Sequence, residues 1–132
     1  MGRSFLITAA ISGFLVVALG AFGAHALAAS FSAYQLNIWD KAVNYQMFHT
    51  VALGLVAVLA LFSSDKPNRT LLWAGRFFTT GIVLFSGSLY LLAITEIRKL
   101  GMVTPLGGVA FLLGWLTILW HGIRITPYNA RP

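Results

Sequence analysis

The sequence predicts an all-α integral membrane protein: a four-helix bundle with a short interfacial amphipathic helix between spans one and two. Three observations carry that prediction. Only twelve of the 132 residues are charged, nine Lys/Arg and three Asp/Glu, and 58% are hydrophobic. Globular chains average about 25% charged residues, so a soluble domain of this size would lack the charges to cover its surface. Second, the charges leave four long uncharged stretches, 4–39, 42–64, 77–95 and 100–123. About 20 apolar residues cross a hydrocarbon core roughly 30 Å thick, so each stretch is long enough for one helical span. Third, little chain remains for an extramembrane domain, and residues 1–132 read as a single transmembrane domain.

The first span covers about 5–24, apolar and rich in small residues. Its end contains A-x-A-like spacing around His25, but the run exceeds the 7–15 residues of a signal-peptide core, which argues against cleavage. The segment 31–44 follows. Asn37, Asp40, Lys41 and Asn44 fall at i, i+3, i+4 and i+7 and form one polar stripe, with Ile38, Trp39 and Ala42 on the other side. That pattern predicts an interfacial helix with its stripe toward water, continuing, with or without a bend, into the second span at about 46–62. Residues 63–69 hold Ser, Asp, Pro and Asn and read as a loop. The third span covers about 71–94, and a short loop from Glu96 to Gly101 leads to the fourth, about 104–122. There Thr104 suits a helix cap and Pro105 the first turn.

Four spans put the N-terminus, the middle loop and the C-terminal tail on one side. That side carries six Lys/Arg (Arg3, Lys66, Arg69, Arg76, Arg124, Arg131), and the other carries three (Lys41, Arg98, Lys99). The positive-inside rule then predicts both termini in the cytoplasm. Trp73, Trp120 and Tyr128 suit one interface, and Tyr34, Trp39 and Tyr45 the other. The net charge of +6 serves this orientation, and no nucleic-acid partner is expected.

With this topology polar residues from all four helices converge in the outer half of the bundle. The candidate cluster for ligand binding or polar packing is His25, Tyr45, Gln46, His49, Thr50, Ser86, Ser88, Tyr90 and Thr104. Polar groups in hydrocarbon face protein or a water-filled cavity, because an unpaired group there is costly. Gln46, His49 and Thr50 lie at i, i+3 and i+4 and are expected on one face. Helix packing explains the serines and threonines economically, and the same reading covers Gly13, Gly20, Gly81, Gly87, Gly107, Gly108 and Gly114.

The absences narrow the function classes. No span holds Asp or Glu, the acidic partner that proton coupling generally uses. No cysteine is present, so thiolate metal sites and disulfide relays are excluded. No phosphate loop, nucleophile elbow or metalloprotease helix is visible, and no catalytic residue or metal site is predicted. His25 and His49 at similar depth suggest bis-histidine haem ligation, which ranks last because no other cofactor signal accompanies it.

Several segments together resemble a known family: Ala9–Gly13, Ala18–His25, Tyr45–Thr50, Leu84–Tyr90, Thr104–Gly108 and Gly114–Trp115. In order and over nearly the whole chain, they are similar to the domain of unknown function 423 family. That family comprises YgdD-like bacterial inner-membrane proteins and is similar to eukaryotic transmembrane protein 256. The resemblance implies a four-span inner-membrane protein and supplies no reaction, ligand or catalytic residue. Two main readings follow. The first is a structural, accessory or lipid- and partner-binding bundle, touching membrane lipids and a homo-oligomeric or larger membrane complex. The second is an oligomeric small channel or transporter with its polar site in the outer half.

Overall fold

The computed structural model describes residues 1–63 and 68–124. The predictions for Asp65, Lys66 and Pro67 and for the tail, including Tyr128 and Arg131, fall outside those residues. Among the described residues the chain is helical throughout, without strands. Helix α1 (Gly2–Phe22) continues into a π-helical turn, Gly23–Leu27, and α2 runs from Ala33 to Leu61. Helix α3 (Arg69–Gly81), a second π-helical turn (Ile82–Ser86) and α4 (Gly87–Thr95) form one continuous rod. A 3₁₀ turn, Arg98–Met102, precedes α5 (Thr104–Arg124). The four long helical segments, 26 to 29 residues each, have the length and hydropathy of membrane spans. At about 1.5 Å per residue each measures roughly 40 Å, enough for the hydrocarbon core and part of both headgroup layers.

The segment 31–44 has its predicted pattern but is not a separate helix. It supplies the first turns of α2, without a break before the apolar part. Asn37, Asp40, Lys41 and Asn44 are exposed, while Ile38, Trp39 and Ala42 are buried against Leu89, Leu92 and Ala93 of α4. The rigid start comes from Ser32, whose hydroxyl accepts from Gln35 N at 3.3 Å while Gln35 Oε1 accepts from Ser32 N at 2.9 Å. Gln35 also donates through Nε2 to the Ala93 carbonyl at 2.9 Å, tying this cap to the end of α4. With packing on one side and a reciprocal cap at its end, the segment has no reason to peel away and lie flat.

Trp39 departs from the interfacial role expected of it. It is 2% exposed, donates its indole N–H to Leu19 O at 2.9 Å and rests on Gly23, where an added Cβ would sit 2.5 Å from Nε1. Trp73 and Trp120 do lie half exposed at the end of the bundle where α3 begins and α5 ends, each with an arginine over its ring, Arg76 and Arg124. This pairing lets the guanidinium reach polar surroundings while its stem covers apolar surface.

The main packing runs α1 on α2, α2 on the α3–α4 rod, and the rod on α5, and the Phe5 ring of α1 also reaches Gly75 of α3. Glycines set the close approaches by receiving aromatic rings from the neighbouring helix. A Cβ on Gly81 would strike the Phe111 ring, on Gly75 the Phe5 ring, and on Gly114 the Phe78 ring at 2.8 Å. Gly107 is tighter still, because its added Cβ would strike the backbone of Phe85 inside the π-helical turn. The other predicted packing glycines do less. Gly13, Gly20 and Gly108 would meet their neighbours at ordinary contact, 3.5–3.9 Å, and Gly87 faces nothing within 4 Å. Gly87 is therefore removed from the packing set. Spacing in one helix cannot reveal what the facing helix presents.

The rod ends at Glu96, the only non-glycine residue with positive φ (57°) among those described. Its amide bonds to Leu92 O at 2.9 Å, closing α4 before the turn into α5. At the start of α5 the Val103 carbonyl accepts from the Leu106 amide at 3.0 Å. The Thr104 hydroxyl, expected to cap, turns instead to Ser88 at 2.8 Å.

Candidate functional site

The two sides of α2 hold different chemistry at the same depth. Gln46 and Thr50 point toward α1, one turn apart. Gln46 Nε2 donates to Ser12 O (3.3 Å) and to Ser12 Oγ (3.2 Å), and Ser12 Oγ lies 2.6 Å from Thr50 Oγ1. On the far side Tyr90 Oη donates to Gln46 Oε1 at 2.8 Å. One chain of hydrogen bonds thus links α1, α2 and α4. Ser86, 1% exposed, donates to the Ala42 carbonyl at 2.8 Å, and Ser88 donates to Phe85 O at 3.0 Å. With its one proton committed there, Ser88 accepts from Thr104. Among the described residues no buried side-chain nitrogen or oxygen is left without a partner. A cleft of about 170 Å³ between α1 and α3 reaches the edge of this network at Ser12 and Gln46.

His49 does not share that face. It turns toward α5 and stacks on Phe111, with ring centroids 3.4 Å apart and planes 7° from parallel. Around the axis Gln46 lies between Thr50 and His49, about 40° from Thr50 and about 60° from His49, so it is the stack on Phe111 that turns His49 away from the α1 side. Tyr45, one turn before His49, stacks on Phe85 at 4.3 Å. Helices α2 and α5 do not pack backbone to backbone along their length, and a cleft of about 700 Å³ opens between them. Its walls include Tyr45, Phe48, His49, Phe85, Phe111 and Trp115. His49 Nδ1 lies 2.8 Å from the Tyr45 carbonyl. A carbonyl only accepts, so Nδ1 carries the proton, and in the neutral ring Nε2 is left as an acceptor.

His25 stands apart from both groups, exposed on the π-helical turn after α1. Gly23, two residues before it, faces Trp39, which precedes His49 by ten residues on α2. That separation is about 15 Å along the axis. His25 is not among the residues that line the cleft beside His49. Among the described residues no group of three or more His, Cys, Asp or Glu is placed to hold a metal ion.

A family profile described as "Protein of unknown function (DUF423)" matches residues 19–108. The chain belongs to the DUF423 family. It is 47% identical over 122 residues to the UPF0382 membrane protein YwdK of Bacillus subtilis, covering 92% of this chain and 98% of that one. It is 45% identical over 123 residues to the UPF0382 inner membrane protein YgdD of Escherichia coli K12, covering 93% and 92%. To the UPF0382 membrane protein SSP2132 of Staphylococcus saprophyticus it is 44% identical over 123 residues, covering 93% and 99%. No solved structure matches. The expected family and the all-α, four-span membrane class are both met. Like its relatives, this DUF423 chain is a small membrane protein whose biochemical activity is not established.

Of the predicted cluster, Gln46, Thr50 and Tyr90 come together, Ser88 pairs with Thr104, and Tyr45 and His49 line the cleft. His25 joins none of them. The sequence reading missed Ser12, although its pairing was implied: a hydroxyl in an apolar span needs a partner, and Gln46 and Thr50 are the donors available. It also missed Phe111 and Trp115, whose i, i+4 spacing puts both on one side of α5.

Proposed function

We propose that this DUF423 protein is a binding protein of the bacterial inner membrane, without catalytic activity, that takes an apolar ligand from the bilayer into the cleft between α2 and α5. The observation that carries the reading is the cleft itself: about 700 Å³, within the roughly 300–1,000 Å³ of small-molecule sites. Its walls are aromatic, and membrane lipid is the nearest source of an occupant. A channel or transporter would need water to reach Gln46, Ser88 and Tyr90. Those groups bond to protein atoms, and the cleft that reaches Gln46 is only about 170 Å³, which supports binding over transport. We place both termini in the cytoplasm, since Arg3, Arg69, Arg76 and Arg124 cluster at their end of the bundle. The outer face of α1, with Phe14 and Val17 more than 70% exposed, is then turned to lipid or to a partner in a larger membrane complex.

The test uses Gly108, which lines the cleft and has room for a side chain. Protein purified gently from membranes should retain a small apolar molecule detectable by mass spectrometry, and Gly108→Leu should reduce its recovery at least several-fold. Equal recovery from the two proteins, or none from either, would refute the reading.

A further inference from the structure

The cleft is not uniformly apolar. His49 is 5% exposed, yet its Nε2 has no hydrogen-bond partner among the described residues. It is not sealed off either, since no buried side-chain nitrogen or oxygen lacks a partner and His49 lines the cleft. Because the Tyr45 carbonyl fixes the Nδ1 proton, the atom offered to an occupant is a hydrogen-bond acceptor. In hydrocarbon such an acceptor favours a ligand that brings a donor, because an unmatched polar atom is costly there.

The walls narrow the ligand further. Tyr45 lies 22° from the plane of His49 and 22° from that of Phe85, and His49 lies 7° from that of Phe111. These rings stack on one another into a rigid wall, with Phe48 and Trp115 steeply inclined to His49 (89° and 61°), and a flat ring packs offset or edge-to-face against such a wall better than a flexible chain does. Gly108 and Pro105, with little side-chain reach, line the α5 side and leave room beside the rings.

We infer that the cleft binds a lipid-soluble phenol or quinol, whose ring lies against the aromatic wall, whose hydroxyl donates to His49 Nε2 and whose apolar tail extends toward the bilayer. The inference rests on the cleft reading above and adds the chemical class of the occupant. No bond forms or breaks in this binding. His49 lies about 7.5 Å along α2 from Asn44, the last residue of the polar stripe, which also lines the cleft, so the ring is held in the half of the bilayer nearer that stripe.

The experiment compares 4-octylphenol with its methyl ether, which keeps ring and tail but loses the donor. Affinities are measured by calorimetry on the full chain in lipid nanodiscs. The phenol is expected to bind about fivefold more tightly, the ratio one hydrogen bond supplies. His49→Phe is expected to bind both molecules alike. A second measurement needs no substitution to fold: with ¹⁵N-histidine, the phenol should shift the His49 Nε2 resonance and the ether should not. Equal affinity in the unsubstituted protein, or a preference that survives in His49→Phe, or an unmoved Nε2 resonance, overturns the inference while leaving the cleft reading intact. Failure of both molecules to bind overturns both.

Discussion

The face of α2 toward α1 and the face toward α5 lie side by side along one helix and share almost nothing else. On the first, Ser12, Gln46, Thr50 and Tyr90 satisfy one another across three helices. On the second, His49 is held by one bond to its own helix and by aromatic rings, with a cleft beside it. A polar group in a membrane interior is either closed by protein or open to a ligand. Here one helix does both: the larger cleft, about 700 Å³, lies on the open face, and only a cleft of about 170 Å³ reaches the other. The Gln46 network works as a clamp that holds α1 and α4 to α2. The glycine contacts on the other side hold α5 to the rod at the distance that leaves the cleft.

The largest effect is expected where that distance is set. Gly107→Ala would force a Cβ against the Phe85 backbone and push α5 away. We expect a loss of about 1–3 kcal/mol, typical of overpacking, read by unfolding in mixed micelles, with ligand retention falling in parallel. Next comes the closed face. Gln46→Leu removes its bonds to Ser12 and Tyr90 and should cost about 1 to 1.7 kcal/mol, the upper part of the range for interhelical bonds in membranes. Ligand binding should survive in the folded fraction. On the open face the same type of change should barely register in stability. Gly108→Leu should stay within about 0.5 kcal/mol of the unsubstituted protein while reducing ligand retention at least several-fold. Last is Gly87→Ala, which meets open space and is the one change expected to cost nothing or to stabilise, by up to about 1 kcal/mol from helix propensity. A costly Gly108→Leu, or a Gln46→Leu that abolishes binding in folded protein, would erase the distinction between the two faces.

Much of the fold is legible in the residues. The charge gaps mark four spans, and the stripe of Asn37, Asp40, Lys41 and Asn44 is the solvent side of early α2. The spacing does not tell whether that segment is separate, because the answer lies in Ala93 and Leu89, over 40 positions away on α4. The candidate site divides in the same manner. Gln46 and Thr50 announce themselves as polar atoms that need partners. His49 falls within the same short spacing, but only the position of Phe111 decides that it faces the other way. Gly107 and Gly87 look alike in sequence. The Phe85 backbone makes one indispensable and the other free. Elements read from periodicity along one helix are correct, and errors arise where two distant helices must be placed together.

On the proposed reading, the cleft beside His49 is open to the bilayer and Gly108 keeps it open. Trp115 stands in its wall and reports on it directly. With Trp39, Trp73 and Trp120 replaced by Phe, the protein would be placed in vesicles of phosphatidylcholine brominated near mid-chain, and Trp115 fluorescence recorded. Strong quenching is expected, and Gly108→Leu should relieve it by at least half. Equal quenching with and without the added side chain, or a Trp115 that bromine does not reach, would contradict it.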